Sequence, residues 1–348
     1  MQFGFFDLSE KYSRLSQLGD PLQKLAEIID FESFRSLLED SYSKQKQEGK
    51  DSKSGRKPLD RVMMFKIIIL QRLYNLSDLQ MEFQLTDRFS FQRFVGLSNN
   101  RNAPDEKTIW AFKEHLNNER LFDDLFCRFD KLLLEDGFHA EGGSIVDASF
   151  VEVPKQRNSR EENRQIKKGE TPEEFEKNTH KLSQKDLDSR WTKKNNENHY
   201  GYKNHVRIDN KHKIIREYST TPASVHDSQQ FEAVCKKVKE GEDIYADSAY
   251  RTPSIEKSIR KKKAKKKINH KGVRNKPLSK SLKTINRSYS IVRARVEHVF
   301  GFMENSMNGM GFKGIGLVRA KGNIALSNLV YNLCRYAQIK SKIAMLVG

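Results

Sequence analysis

Cysteine and long apolar runs are in short supply in this chain, acidic residues are outnumbered by basic ones, and each of these facts narrows the class of protein. Only three of 348 residues are cysteine. Cys127, Cys235 and Cys334 stand far apart, with neither zinc-site spacing nor a disulfide framework, so a reducing compartment and buried, inert thiols are expected. The most apolar run, residues 62–73, carries Lys66 and Arg72 and is too short to cross a bilayer. Met1-Gln2-Phe3-Gly4-Phe5-Phe6 lacks the basic segment that opens a secretory signal, so a cytosolic, nucleoid-associated protein with no membrane partner is expected. Against 46 Asp and Glu stand 64 Lys and Arg, a formal net charge of +18. Such an excess points to nucleic acid, although a solvated basic surface alone would give the same number.

What is present is organised around Ser144-Ile145-Val146-Asp147-Ala148-Ser149-Phe150-Val151, an apolar, β-branched stretch preceded by Gly142-Gly143 and followed by Pro154. It reads as a buried strand with a carboxylate in its middle. A buried carboxylate costs several kcal/mol unless it is paired or bound to a metal; on this stretch alone, a hydrogen-bonded structural Asp is an equal alternative. Asp243-Ile244-Tyr245-Ala246-Asp247 is a second short strand ending in an Asp, and residues 290–303 carry Val292, Val296, Val299, Phe300 and Met303 at helical spacing. On that helix Arg293 and Glu297 are one turn apart. Asp147, Asp247 and Glu297 thus form a candidate catalytic and metal-binding set. Three adjacent carboxylates repel one another unless a divalent cation neutralises them, and hard oxygen donors suit Mg²⁺, with Mn²⁺ as a substitute. Two such ions about 4 Å apart can activate an attacking oxygen and stabilise a leaving one, which is the chemistry of phosphodiester hydrolysis and strand transfer.

The length allows two domains. Residues 22–38 show a helical pattern, 41–57 read as a flexible basic linker, and helical patterns then continue to residue 136. Residues 1–57 are therefore set apart as helix and linker, and 58–137 as a helical domain suited to placing a helix in the major groove. From residue 142 the pattern turns to strands, interrupted by a polar arm at 155–198 that is expected to be disordered in part. In that arm Trp191, beside Lys193 and Lys194, suits base stacking and phosphate contact, or covers a core edge. Residues 200–209 and 213–220 alternate as an antiparallel pair, and 227–238 read as a helix. The segment 254–287 is dense in cations; Lys261, Lys262, Lys263, Lys265, Lys266 and Lys267 are candidate phosphate contacts, with a solvated face as the plainer account. His226 reads as a capping residue at a helix start, with a ligand role as the minor alternative.

Six segments, in order, resemble the DDE transposases of bacterial insertion sequences, in the group named for insertion sequence five. They are Ile145-Val146-Asp147-Ala148, Arg190-Trp191-Thr192-Lys193-Lys194, Tyr200-Gly201-Tyr202-Lys203-Asn204-His205, Thr221-Pro222-Ala223-Ser224-Val225-His226-Asp227-Ser228, Tyr245-Ala246-Asp247 and Arg293-Ala294-Arg295-Val296-Glu297-His298-Val299-Phe300. The resemblance implies an α+β architecture: an all-helical N-terminal domain, then a ribonuclease-H-like mixed five-stranded sheet with flanking helices over residues 138–340. It also implies an enzyme that uses two Mg²⁺ ions to cleave the ends of its element and join them to target DNA. Its partners would be terminal inverted repeats, target DNA and further copies of itself, as a homodimer or higher oligomer. Arg293 and Lys203 are candidate DNA contacts on this basis. The family surrounds its glutamate with a Tyr, Arg, Glu, Lys signature; here Ser290 holds the Tyr position and Glu304 the Lys position, which puts roles borrowed from those two in doubt. A nuclease of the same fold that cuts without joining, and a DNA-binding protein that has lost catalysis, are the rival functions.

Overall fold

The computed structural model describes residues 5–47, 58–97, 102–194, 196–273 and 277–347. The chain divides into two compact units, Met1–Leu132 with Leu326–Gly348, and Leu133–Ala325.

The first unit is helical: α1 (Phe5–Gln17), α2 (Pro21–Ile28), α3 (Arg35–Gln47), α4 (Arg61–Leu73), α5 (Asp78–Asp87), α6 (Phe89–Val95), α7 (Glu106–Asn118) and α8 (Leu121–Glu135), the last of which contains the unit boundary at Leu132. Polar residues start these helices by accepting otherwise unpaired backbone N–H groups. Asp60 accepts from Met63 and Asp105 from Thr108, and Ser77 and Gln80 form a reciprocal capping box. Helix α4 is the hub. Where its spacing predicts one apolar face, it is buried nearly all round, from Val62 to Arg72, as expected of a helix at the centre of a bundle. Phe34 packs on Phe65 with ring centroids 5.1 Å apart. Arg72 donates from Nε to Ser327 Oγ at 2.6 Å, and Phe129 meets Tyr336 edge-on at 5.9 Å. Ser327 and Tyr336 thereby tie their helix into this core. The expected linker is shorter than 41–57, because α3 continues to Gln47 and Ser41 is buried, bonded to Leu38 O and to His115 Nε2 at 2.9 Å. Its remainder, 48–57, lies outside the described residues.

The second unit holds a mixed sheet: β1 (Ser144–Glu152), β2 (Arg190–Lys194), β3 (Glu197–Asp209), β4 (Ile215–Pro222), β5 (Asp243–Ala246) and β6 (Lys265–Ile268). The order is β2-β3-β1-β5-β6, with β4 also paired to β3. Strand β1 is antiparallel to β3 and parallel to β5. Six strands replace the expected five, and two of them lie in unpromising sequence. Strand β2 falls in the polar arm, and β6 in the lysine run, parallel to β5. The arm itself is structured. It contains α9 (Arg160–Lys168), α10 (Glu173–Lys177) and α11 (Thr179–Ser183), anchored by buried Ile166 and Phe175. Tyr202 fixes it to β3, its hydroxyl donating to the Asp186 carboxylate at 2.7 and 2.8 Å. The expected helix at 227–238 is a 3₁₀ turn (Asp227–Gln230) and a short α12 (Phe231–Val234). After β5 come α13 (Pro253–Lys261), α14 (Lys280–Arg293), α15 (Arg295–Gly301) and α16 (Leu317–Val347), the last of which continues into the first unit. Residues 274–276 of the basic segment lie outside the described residues. Val146, Ile244, Ala246, Phe231, Val234, Cys235, Tyr250, Ile255, Ile259 and Ile268 form one buried cluster. Burial pushes the Cys235 thiol well up and that of Cys334 up to about 12, as expected of inert thiols. Cys127 departs from that expectation and is exposed.

Candidate active site

The site starts at Gly142-Gly143. Both have positive φ, +74° and +90°, and a Cβ on Gly143 would stand 2.7 Å from Asp243 O. Glycine there lets β5 come close beside the start of β1. The parallel register pairs Ser144 with Ile244 and Ile145 with Tyr245. Asp147 lies two residues beyond the last paired position on β1, and Asp247 directly follows the end of β5, close enough for its charge to act on Asp147.

Each carboxylate is partly fixed by its own backbone. Asp147 Oδ1 accepts from Ala148 N at 2.9 Å, and Asp247 Oδ1 from Ala249 N at 2.9 Å, where Asp247 caps the 3₁₀ turn Ser248–Tyr250. Burial raises the pKa of Asp147, and the charge of Asp247 adds to this; the Ala148 N–H, Arg293 and Lys194 oppose it. Arg293 Nε lies 3.6 Å from Asp147 Oδ2, a charge contact rather than a hydrogen bond. A carboxylate loaded in this way gains from a nearby cation, and an all-oxygen donor pair suits a hard divalent one.

Glu297 is placed differently from the expected single helix. The helix spanning 290–303 is broken at Ala294: Arg293 ends α14, and Glu297 lies in the first turn of α15, its N–H donating to Ala294 O at 3.1 Å. Buried Val296 and Val299 anchor α15, which packs on β1. Glu297 itself is exposed. Among the described residues no three His, Cys, Asp or Glu side chains stand close enough together to hold a metal ion. The two aspartates are brought together, and the glutamate stands in solvent on the adjoining helix.

The candidate DNA contacts divide by environment. Trp191, Lys193 and Lys194 are exposed on β2; the Trp191 ring leans on Tyr200 at 4.8 Å, and Lys194 lies 5.6 Å from the centre of the Phe150 ring. Lys261 and Lys265 are exposed without an ion-pair partner among the described residues. Lys262, Lys263 and Lys266 face Glu232 at 3.8 Å, Glu240 at 3.2 Å and Glu256 at 2.7 Å, and Lys267 lies 5.7 Å from the centre of the Tyr289 ring. Lys203 has to be reassigned: it is buried, and its ammonium donates to Asp227 Oδ1 and Val225 O, both at 2.8 Å. It ties the loop before the 3₁₀ turn to the sheet. His226 caps that turn, with Nδ1 accepting from Ser228 N at 3.3 Å. At the position where the signature has Tyr, Ser290 Oγ accepts from Asn269, while the neighbouring Tyr289 ring meets Tyr245 at 6.1 Å. Sequence reasoning picks out Lys203 but misses its pairing with Asp227; both lie inside quoted motifs, and their contact is not written in residue type.

A family described as Transposase DDE domain matches residues 139–333, and another described as Transposase domain (DUF772) matches residues 10–115. No solved structure matches the chain. The first match covers β1, β5 and α15, with all three acids, and takes in more than half of the 348 residues; the chain therefore belongs to the DDE transposases.

Proposed function

We propose that this transposase cleaves the ends of an insertion sequence and transfers them to target DNA, with Asp147, Asp247 and Glu297 holding Mg²⁺ ions. The observation that supports this reading is the nearness of Asp147, on β1, to Asp247, which directly follows the parallel neighbour strand β5. Bound there, divalent cations would activate the attacking oxygen and neutralise charge on the leaving one. Asp147 supplies a carboxylate whose burial favours a cationic partner. Glu297, on a separate seven-residue helix, completes the oxygen donors by a small movement of α15 relative to β1. Arg293 balances the charge of Asp147 and, at the end of α14, is placed to receive a DNA phosphate. Trp191, Lys193 and Lys194 on β2, with Lys261 and Lys265, supply contacts to the DNA backbone and bases. The protein acts as a dimer or higher oligomer on paired terminal repeats.

The test is incubation of the full chain with a labelled transposon end, target DNA and Mg²⁺. Nicked and joined products are expected. Asp147→Asn, Asp247→Asn and Glu297→Gln should each abolish both products while leaving DNA affinity within about twofold, because affinity rests on phosphate contacts elsewhere. Nicking without joining would identify a nuclease, and near-normal cleavage by any variant would remove that residue from the set.

A further inference from the structure

Helix α14 meets the sheet without burying a side chain. None of its 14 residues is buried, and its two isoleucines, Ile285 and Ile291, are exposed. A helix on a sheet is ordinarily held by an apolar stripe at spacing i, i+3, i+4, i+7. In α14 that spacing is filled by Asn286, Tyr289, Ser290 and Arg293. Each of the four reaches the strands or the residues just beyond them.

Asn286 holds both backbone groups of His270, two residues beyond β6. Its side-chain oxygen accepts from His270 N at 2.8 Å, and its side-chain nitrogen donates to His270 O at 2.9 Å. Tyr289 meets Tyr245 of β5 edge-on at 6.1 Å, and the Lys267 ammonium on β6 stands 5.7 Å from the centre of its ring. Ser290 Oγ accepts from Asn269 Nδ2 at 3.1 Å. Asn269 directly follows β6, and its own N–H donates to Ala246 O at 3.2 Å, beside Asp247 in the chain. Less than a turn later, Arg293 Nε lies 3.6 Å from Asp147 Oδ2 on β1.

These contacts run along one face of the helix, from the residues after β6 to the carboxylate on β1. A two-point bond from an amide to a backbone fixes the rotation and the height of a helix, whereas apolar contacts tolerate repacking. A solvated surface amide has no need to spend its donor and its acceptor on one residue. Arg293 is the last residue of α14, and the helix breaks directly after it at Ala294. Where α14 is held therefore sets where the guanidinium stands.

We propose that Asn286, clasping the backbone of His270, is a positioning residue that sets Arg293 against Asp147, with the Asn269–Ser290 bond as the second point of attachment. This rests on the reading of Asp147 and Arg293 as members of the active site. Asn286 acts through the helix that carries Arg293, not on DNA or the reacting atoms.

The experiment is a double-mutant cycle on Mg²⁺-dependent cleavage by the full-length protein, with hydrogen exchange and thermal melting on the same variants. Asn286→Ala should lower the cleavage rate at saturating DNA by about tenfold, because a small misplacement of a charged group is costly. Residues 265–272 and 280–293 should exchange faster. The melting temperature should stay within about 2 °C of wild type, because no buried side chain is lost. Asn269→Ala should act in the same way, less strongly. In Arg293→Gln, which already lacks the group being placed, Asn286→Ala should change the residual rate by less than about twofold. A tenfold loss in both backgrounds, or wild-type cleavage by Asn286→Ala while Arg293→Gln is impaired, overturns the proposal and leaves the active-site reading standing. Unchanged exchange in Asn286→Ala also overturns it, and that measurement needs no catalysis. Arg293→Gln cleaving as wild type overturns the reading of Arg293 on which the proposal rests.

Discussion

At the scale of single residues, the chemistry next to the aspartates is set by depth. His205 is fully buried on β3, Nε2 bonded to Thr221 Oγ1 at 2.8 Å and Nδ1 lying 3.9 Å from Asp227 Oδ1. Burial depresses its pKa to about 4, against the pull of Asp227 and with the help of Lys203. The unfolded chain, with a His pKa near 6.5, then takes up this proton more readily than the folded one. Stability should be fully present above about pH 6.5 and fall progressively toward pH 4, by on the order of 3 kcal/mol from this residue. Urea unfolding of wild type and His205→Asn at pH 7 and pH 5 checks this: the variant should show a shallower pH dependence, and identical dependence would exclude His205 as the cause. Asp147 was legible in the sequence because a carboxylate stands out in an apolar run. Lys203 was misread for the complementary reason: a lysine within a motif looks like a DNA contact until its partner, Asp227, 24 residues on, is seen to take its charge.

At the scale of elements, one glycine determines whether β1 and β3 can pair. Gly201 has φ +142°, and a Cβ there would stand 2.3 Å from Val151 O and 3.1 Å from Val153 N. Gly201→Ala should therefore cost about 2–4 kcal/mol by forcing apart the end of the β1–β3 ladder. Calorimetry would register the lower melting temperature, and a change within about 0.5 kcal/mol would show that the strand end adjusts freely. Strands β1, β3 and β4 were legible because they alternate or stay apolar between glycine and turn residues. Strand β6 was not, because Lys265, Lys266 and Lys267 carry no apolar signal and its pairing comes wholly from β5. Nor was the order in the polar arm, where single buried residues such as Ile166 and Phe175 do the anchoring. The break at Ala294 was equally hidden. Valine spacing continues through it, and only the backbone shows that Arg293 and Glu297 sit on separate helices.

At the scale of the whole molecule, the +18 charge predicts DNA binding that weakens steeply with salt. The structure narrows which lysines contribute. Lys262, Lys263 and Lys266 face acids, so the double variant Lys261→Ala with Lys265→Ala should flatten the log–log salt slope by about 1.8, at about 0.9 per lost contact, equally for all sequences. Lys262→Ala with Lys266→Ala should change it little. Gel shifts across a salt series decide this, and equal effects from both pairs would refute the distinction. The division of the chain also changes how the helical unit must be isolated. A fragment ending at residue 137 lacks Ser327, Leu329, Val330 and Leu333, which are buried. It should melt lower and less cooperatively than residues 1–132 joined by a short linker to 326–348. If the linked form gains nothing by circular dichroism, those residues are dispensable. Helix α16 carries a consequence for synthesis. The ribosome delivers residues 133–325 between the two halves of the helical core, so the sheet has all its strands before that core has all its helices. A chain released early would keep its aspartates but leave the apolar sides of α4 and α8 uncovered, and proteases should clear it. The buried residues of α16 from Leu326 to Leu333 must thus be made before the helical core is covered.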